Sequence, residues 1–235
     1  MALSFNSKTG IVMTRLPLAL LALALAPMAL QSQQSSFAVV PFEAQQSFGL
    51  DQESLNALGG GIAQILASEL SLSPGGSAAP RSTTAGAISS QALPKSARID
   101  AATAAKIGKT VGAKYVIMGN FVDYYGKFRL NVRVIDTQSG AIVKGFSNED
   151  PKMQDRDQIY LIIQSIAQKI LQELKLPPAP ATTVVVPGAA VIAFSLGIKA
   201  EDAGNKTQAA SLYERALQVA PDFPEAKDAL ARVKG

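Results

Sequence analysis

The chain has 235 residues and contains no cysteine, histidine or tryptophan. That composition excludes disulfides, thiol chemistry, imidazole bases and nearly all zinc sites. With 48% apolar residues, 17% charged residues and a net charge of +4, it describes a globular chain too mildly basic to argue for nucleic acid.

Arg15 precedes a continuous apolar run, Leu16 to Leu30, and small and polar residues follow. A basic flank, an apolar core and a polar exit predict a secretory signal peptide over residues 1–32. The run is short for a membrane span, which needs about 20 residues. Lys8 and Arg15 belong to this leader, so the remainder carries a charge of +2. The expected location is the periplasm or cell envelope, with only indirect membrane association.

Ser36–Phe42 reads as a first strand closed by Pro41. A helix is expected near Glu53–Leu70, with Leu55, Leu58, Ile62, Ile65, Leu66 and Leu70 at helical spacing. Gly59-Gly60-Gly61 interrupts it. A phosphate-cradling loop would need these glycines between strand and helix in a longer frame, which is absent. Either the helix lies in close contact with the sheet, or it begins at Gly61. Residues 71–98 are rich in Ser, Gly, Ala and Pro and read as a surface excursion with a poor edge strand near Ala87–Gln91. Asp100 caps a helix over Ala101–Thr110, with Ile99 as a hydrophobic staple and Gly112 just past its end.

Val111 to Phe146 organises the rest. Tyr115-Val116-Ile117-Met118 is a strand covered on both faces. After the turn at Asp123–Gly126, the next strand alternates. Phe128, Leu130, Val132 and Val134 point one way; Lys127, Arg129, Asn131 and Arg133 point the other. A second turn, Asp136–Gly140, opens a third strand at Ala141. Asp155–Gln158 reads as a capping-box-like start to a helix running to Leu174. Its stripe is Ile159, Ile163, Ile166, Ile170 and Leu174. Residues 177–188 form a stiff proline-rich linker. Beyond it, Ala193, Leu196, Gly197, Gly204, Ala209, Tyr213, Ala216 and Pro221 fall at the spacings of one tetratricopeptide repeat within residues 189–235. The expected fold is α/β, a mixed sheet with an antiparallel meander and packed helices over residues 35–176, plus a small all-α helical-repeat unit.

The ordered series Phe37–Phe42, Gly60–Leu66, Ala105–Gly108, Val111–Gly119 and Arg133–Asp136 with Ser139-Gly140 resembles the CsgG-like curli-secretion family and the amino-terminal domain of TolB. The resemblance implies an α/β sandwich that acts in the bacterial envelope through protein contacts, without catalytic residues or cofactor. The chain departs from the pore-forming members in lacking a cysteine for lipidation and long membrane hairpins.

Two function classes follow. One is a non-catalytic adaptor or assembly factor; the other is a subunit of an oligomeric secretion or outer-membrane complex. Candidate partner-binding residues are the basic stripe Lys127, Arg129 and Arg133, whose plainer reading is a solvated sheet face, and Leu196, Tyr213, Leu217 and Leu230. The four helical residues cannot all be covered inside one repeat. Since the linker holds that unit away, cover is expected from a partner or a second copy. An enzyme built on Asp100, Asp123 and Asp136 is disfavoured, because a helix cap and a turn account for two of them.

Overall fold

The computed structural model describes residues 1–3, 35–92, 98–148, 153–181 and 183–235. Residues 4–32 of the expected leader, and its expected cleavage site, lie outside these residues. In chain order the elements are β1 (Ser35–Val39), β2 (Glu43–Ala44), α1 (Gln52–Ser71), β3 (Gly76–Ala78), α2 (Arg81–Ser90), α3 (Ala101–Val111), β4 (Tyr115–Tyr124), β5 (Lys127–Asp136), β6 (Ile142–Ser147), β7 (Gln154–Asp155), α4 (Ile159–Glu173), α5 (Gly188–Asp202), α6 (Lys206–Val219) and α7 (Pro224–Lys234). One open mixed sheet results, ordered β3-β1-β4-β5-β6, with β2 beside the far half of β4 and β7 beside the start of β5. β1 pairs in parallel with both β3 and β4; β4, β5 and β6 form the antiparallel meander.

The pleat decides what each face holds. Phe37, Ile117, Phe128, Leu130, Val132 and Val134 meet Leu58, Ile62 and Leu66 of α1 and Ile159, Ile163, Ile166 and Ile170 of α4. All are essentially sealed from water. Ala38, Val40, Val116 and Ile135 turn to the other face, where Ala104 and Ile107 of α3 and Ala87 of α2 cover them. Asp51 and Asp100 start α1 and α3 by accepting the N–H groups of Ser54 (2.9 Å) and Thr103 (2.7 Å). Gly112 ends α3 at φ +71°.

Four expectations need correction. Residues 71–98 are not merely an excursion. β3 lies there, and Ala87–Ser90 is the end of α2, not an edge strand. Helix α4 has no capping box. Asp155 pairs with Lys127, Arg156 pairs with Asp123, and Gln158 at the N-cap makes no side-chain bond. The helices after the linker are not held away. Val191, Phe194 and Ile198 of α5 belong to the same hydrophobic core as α1 and α4. The proline-rich stretch is itself pinned. Ala179 and Val186 are buried, Ser73 Oγ donates to the Pro177 carbonyl (2.6 Å), and Gln168 Nε2 donates to that of Ala179 (3.0 Å).

Two of the three glycines permit close approaches around α1, and one of them admits α5. Any Cβ at Gly59 would collide with the Phe42 carbonyl, and one at Gly61 with the Ser195 hydroxyl of α5. Helix α1 therefore approaches the β1–β2 connection on one side and α5 on the other. The expected close contact on the sheet side is seen at Gly59; Gly61 meets a helix instead, and α1 begins well before it.

Candidate functional site

Lys127, Arg129 and Arg133 do share one face of β5, opposite the buried Phe128, Leu130, Val132 and Val134. Through the β4–β5 register the same face carries Met118, Asn120, Val122 and Tyr124. α3 covers only the Val116–Ile135 end of it. Between β4, β5 and the start of α3 lies a cavity of about 260 Å³ lined by Glu43, Arg98, Asp100, Met118, Asn120 and Arg133. Charge on this face is partly balanced: Lys127 Nζ sits 2.5 Å from Asp155, and Arg98 lies 3.5 Å from Glu43. Arg133 remains exposed.

At the far end of this face the β4–β5 turn presents an aromatic cluster that sequence reasoning missed. Phe48, Tyr124 and Tyr125 are 40%, 54% and 70% exposed, yet their rings lie 5.1–6.0 Å apart in stacked and edge-on pairs. The backbone beneath is fixed. Tyr125 N–H donates to the Phe48 carbonyl (2.9 Å), and Phe48 N–H to that of Asp123 (2.7 Å). Asp123 is fully buried and accepts from Arg156 Nη1 (3.0 Å) and from Gly126 N–H (3.0 Å). Tyr125 takes φ +50° and Gly126 φ +86°, so a tyrosine stands where glycine or asparagine is normally favoured. Such strain persists only where the surroundings over-determine it. The adjacent pair Tyr124-Tyr125 before Gly126 was the available signal; Phe48, distant in sequence, gave none.

The helical candidates are placed differently. Tyr213 is enclosed, its ring against Gly197 and Phe194, its hydroxyl donating to Glu201 Oε2 (2.6 Å). Leu217 and Leu230 are half-buried against the main core, and Leu196 is half-buried on α5. These four do not gather with the basic stripe. Burial alone would raise the Glu201 carboxyl. The hydrogen bonds from Arg232 and Tyr213 and the charges of Arg232 and Arg81 outweigh it and hold the group below its usual range.

Where α1, α4 and α7 meet, two carboxylates are nearly sealed from water: Glu69 and Glu225, 2% and 6% exposed. Tyr160 donates to Glu225 Oε2 (3.3 Å), and Gln164 Nε2 to Glu69 Oε1 (2.9 Å). Burial, with the Glu69 charge adding to it, pushes Glu225 up to about 7, and burial also raises Glu69. The sequence signal was Glu69 itself, standing on the apolar stripe of α1 one turn beyond Ile65 and Leu66.

Asp100, Asp123 and Asp136 are not brought together. Asp100 caps α3, Asp136 accepts from Ser139 N–H (2.8 Å) in its turn, and Asp123 lies at the opposite end of the β4–β5 ladder. Among the described residues no helix is long and apolar enough to cross a membrane.

No family model and no curated protein sequence matches the chain. Solved structures similar to it include the LpoB C-terminal domain from Salmonella enterica, at 16% identity and a TM-score of 0.39, covering 50% of this chain and 82% of that one. TolB from Acinetobacter baumannii is 18% identical with a TM-score of 0.39 over 68% of this chain and 30% of its own. Lipoprotein GNA1162 from Neisseria meningitidis is 16% identical with a TM-score of 0.39 over 60% and 99%. Likenesses this distant are partial similarities of chain course and carry no function with them.

Proposed function

We propose that the chain is an exported, non-catalytic envelope protein that acts as an adaptor or assembly factor by holding a protein partner on the open β4–β5 face. The observation that supports this reading is the exposed, rigidly held cluster Phe48–Tyr124–Tyr125 at the end of a polar face bearing Arg129 and Arg133. Aromatic and arginine side chains dominate the energetics of protein interfaces, and the aromatic rings bury large areas with only two torsions to freeze. Holding these rings in advance lowers the ordering cost of association. The reading takes residues 35–176 as the CsgG- and TolB-like module and 189–235 as a tetratricopeptide-like unit bracing it. No cofactor and no reaction belong to this reading.

A second reading, a subunit of an oligomeric secretion or outer-membrane complex, has one observation in its favour. β6 is an edge strand with exposed Ile142 and Val143, and such edges template strand pairing. Light scattering on the purified chain separates monomer from ring.

The test of the first reading uses the strain at Tyr125. Tyr125→Gly removes the exposed ring while placing at φ +50° the residue that tolerates it best. The tagged wild-type chain should retain a discrete partner from envelope extracts. Tyr125→Gly and Arg133→Glu should lose it while melting no earlier than wild type, and Lys206→Glu on α6 should keep it. A folded Tyr125→Gly chain that still holds the full amount of partner would overturn the reading.

A further inference from the structure

At the β3 end of the sheet, away from the face just described, lies a cavity of about 200 Å³. Its walls are short side chains: Ala63 and Ala67 of α1, Ala78 and Ala79 at the end of β3, and Ala85 of α2, with Val39 of β1 at the base. The helical unit closes one side with Asp202. Arg81 joins the two, pairing with Asp202 and, at 3.1 Å, with Glu201.

Two buried polar atoms in this wall lack a hydrogen-bond partner among the described residues: Arg81 Nη1, which is nonetheless in ion-pair contact with Asp202, and the Thr84 hydroxyl, which has no contact of that kind. Thr84 is 2% exposed. A threonine inside a helix ordinarily bonds the carbonyl four residues back, and here Pro80 offers one. That carbonyl accepts only the Thr84 N–H (3.1 Å). A buried hydroxyl left unpaired costs more than a paired one gains, so such groups point to something that completes them.

We infer that this cavity is a binding site for a compact, uncharged ligand with an apolar body and one hydrogen-bonding group that meets the Thr84 hydroxyl once that side chain turns into the cavity, since the oxygen is sealed within the wall as it stands. Size sets the body: a dry cavity of about 150 Å³ holds a benzene ring, and this one is slightly larger. Charge sets the neutrality: Arg81 is already matched by Asp202 and Glu201, and Glu201 is matched again by Arg232 at 2.8 Å. An added carboxylate would face Asp202 with no unpaired cation to receive it. Because α1, β3, α2 and the end of α5 all contribute, a bound ligand would also tighten the contact of the helical unit with the sheet.

The experiment titrates the isotopically labelled full chain with cyclohexanol and, separately, with cyclohexanecarboxylate, following backbone amide shifts. Cyclohexanol should give saturable shifts centred on Ala67, Ala79 and Thr84, and the carboxylate should bind at least tenfold more weakly. Thr84→Val keeps the shape and removes the hydroxyl; it should weaken cyclohexanol roughly three- to tenfold, the value of one hydrogen bond. Ala67→Leu should fill the site and abolish binding. Ala85→Leu, at the exposed mouth, repeats that test if Ala67→Leu fails to fold. Non-saturating shifts with cyclohexanol, or saturation untouched by the filling variants, would overturn the site. Equal binding of the carboxylate would overturn the ligand class.

Discussion

Gly61 of α1 lies directly against Ser195 of α5: a methyl group on Gly61 would fall inside the Ser195 hydroxyl. Ser195 is itself buried and donates to the Val191 carbonyl at 2.7 Å, so it has no room to turn aside. Gly61→Ala should therefore push α5 off α1 and cost about 2 kcal/mol or more. Gly59→Ala, which meets the Phe42 carbonyl, should do the same at the other side of the helix. Gly60 is the control. Its nearest neighbour is an Ile198 methyl at 3.5 Å, an ordinary contact. Gly60→Ala should be neutral or stabilising by up to about 1 kcal/mol, through helix propensity alone. Chemical denaturation of the three variants checks the order; a stable Gly61→Ala would mean that the two helices are not in contact in solution.

Stability should fall as pH rises from about 4.5 to about 7. Glu225 titrates near 7 in the folded chain against 4.5 when free, because burial and the Glu69 carboxylate disfavour its charge more than its hydrogen bonds favour it. The folded state thus binds its proton more tightly. The stabilisation is full below the unfolded value and is lost on the way up to the folded one. The loss is on the order of 2–3 kcal/mol. Asp51, Asp100 and Asp136 act in the opposite sense, since hydrogen bonds hold each below 3.8. Their contribution disappears only under stronger acid, so the optimum lies near pH 4–5. Glu225→Gln should keep the Tyr160 bond, flatten the profile and melt later than wild type at pH 8. An unchanged slope in that variant would show that Glu225 is not the titrating group.

The two faces of β5 should respond oppositely to the same charge. Val132→Asp buries a carboxylate among Ile163 and its neighbours and should cost about 3–5 kcal/mol, a large fraction of the stability of a typical domain. Lys127→Asp replaces an exposed ion pair with two like charges beside Asp155 and should cost about 1 kcal/mol or less. Thermal melting decides it, and a worse result for Lys127→Asp would invert the assignment of the faces.

Replacing residues 74–91 with a short Gly/Ser link should lower the melting temperature sharply. The link would remove β3, which flanks β1 along Ser35–Phe37, and with it Ala87, which seals Ala38 and Val40. A melt that does not shift would return this stretch to the status of a loop.

Residues 189–235 expressed alone should not melt cooperatively as a monomer. Val191, Phe194, Ile198 and Phe223 lean on α1 and on Tyr160 of α4, whose ring is 5.6 Å from that of Phe223. A folded, monomeric fragment would show that this cover is dispensable.

The meander and α4 were legible because their burial is one-sided and regular: alternate residues of β5 and every third or fourth residue of α4 face the core. The segment from β3 through α2 was not. Gly76-Ser77-Ala78 has no strand preference of its own, and parallel pairing with β1 imposes its conformation. α2 buries only Thr84 and Ala87, too few to mark a period. At the candidate site, alternation alone placed Lys127, Arg129 and Arg133 on one face. Phe48 joins Tyr124 and Tyr125 only after the chain has gone through α1, β3, α2 and α3, and no local pattern announces that meeting. The docking of α5 was written in Gly61, but glycine records that something comes close without saying what.

β1 is flanked on both sides by strands running in its own direction, with its registers Ser35 to Gly76 and Phe37 to Tyr115 beginning near its entry. Tension on the chain ahead of Ser35 would pull along this strand and across its ladders, so both rows of hydrogen bonds would bear the load together. Bonds loaded in parallel give way together, unlike those of a hairpin peeled from its end. A pull along the first strand should therefore meet more resistance than a pull that peels β6 from β5 at the sheet margin.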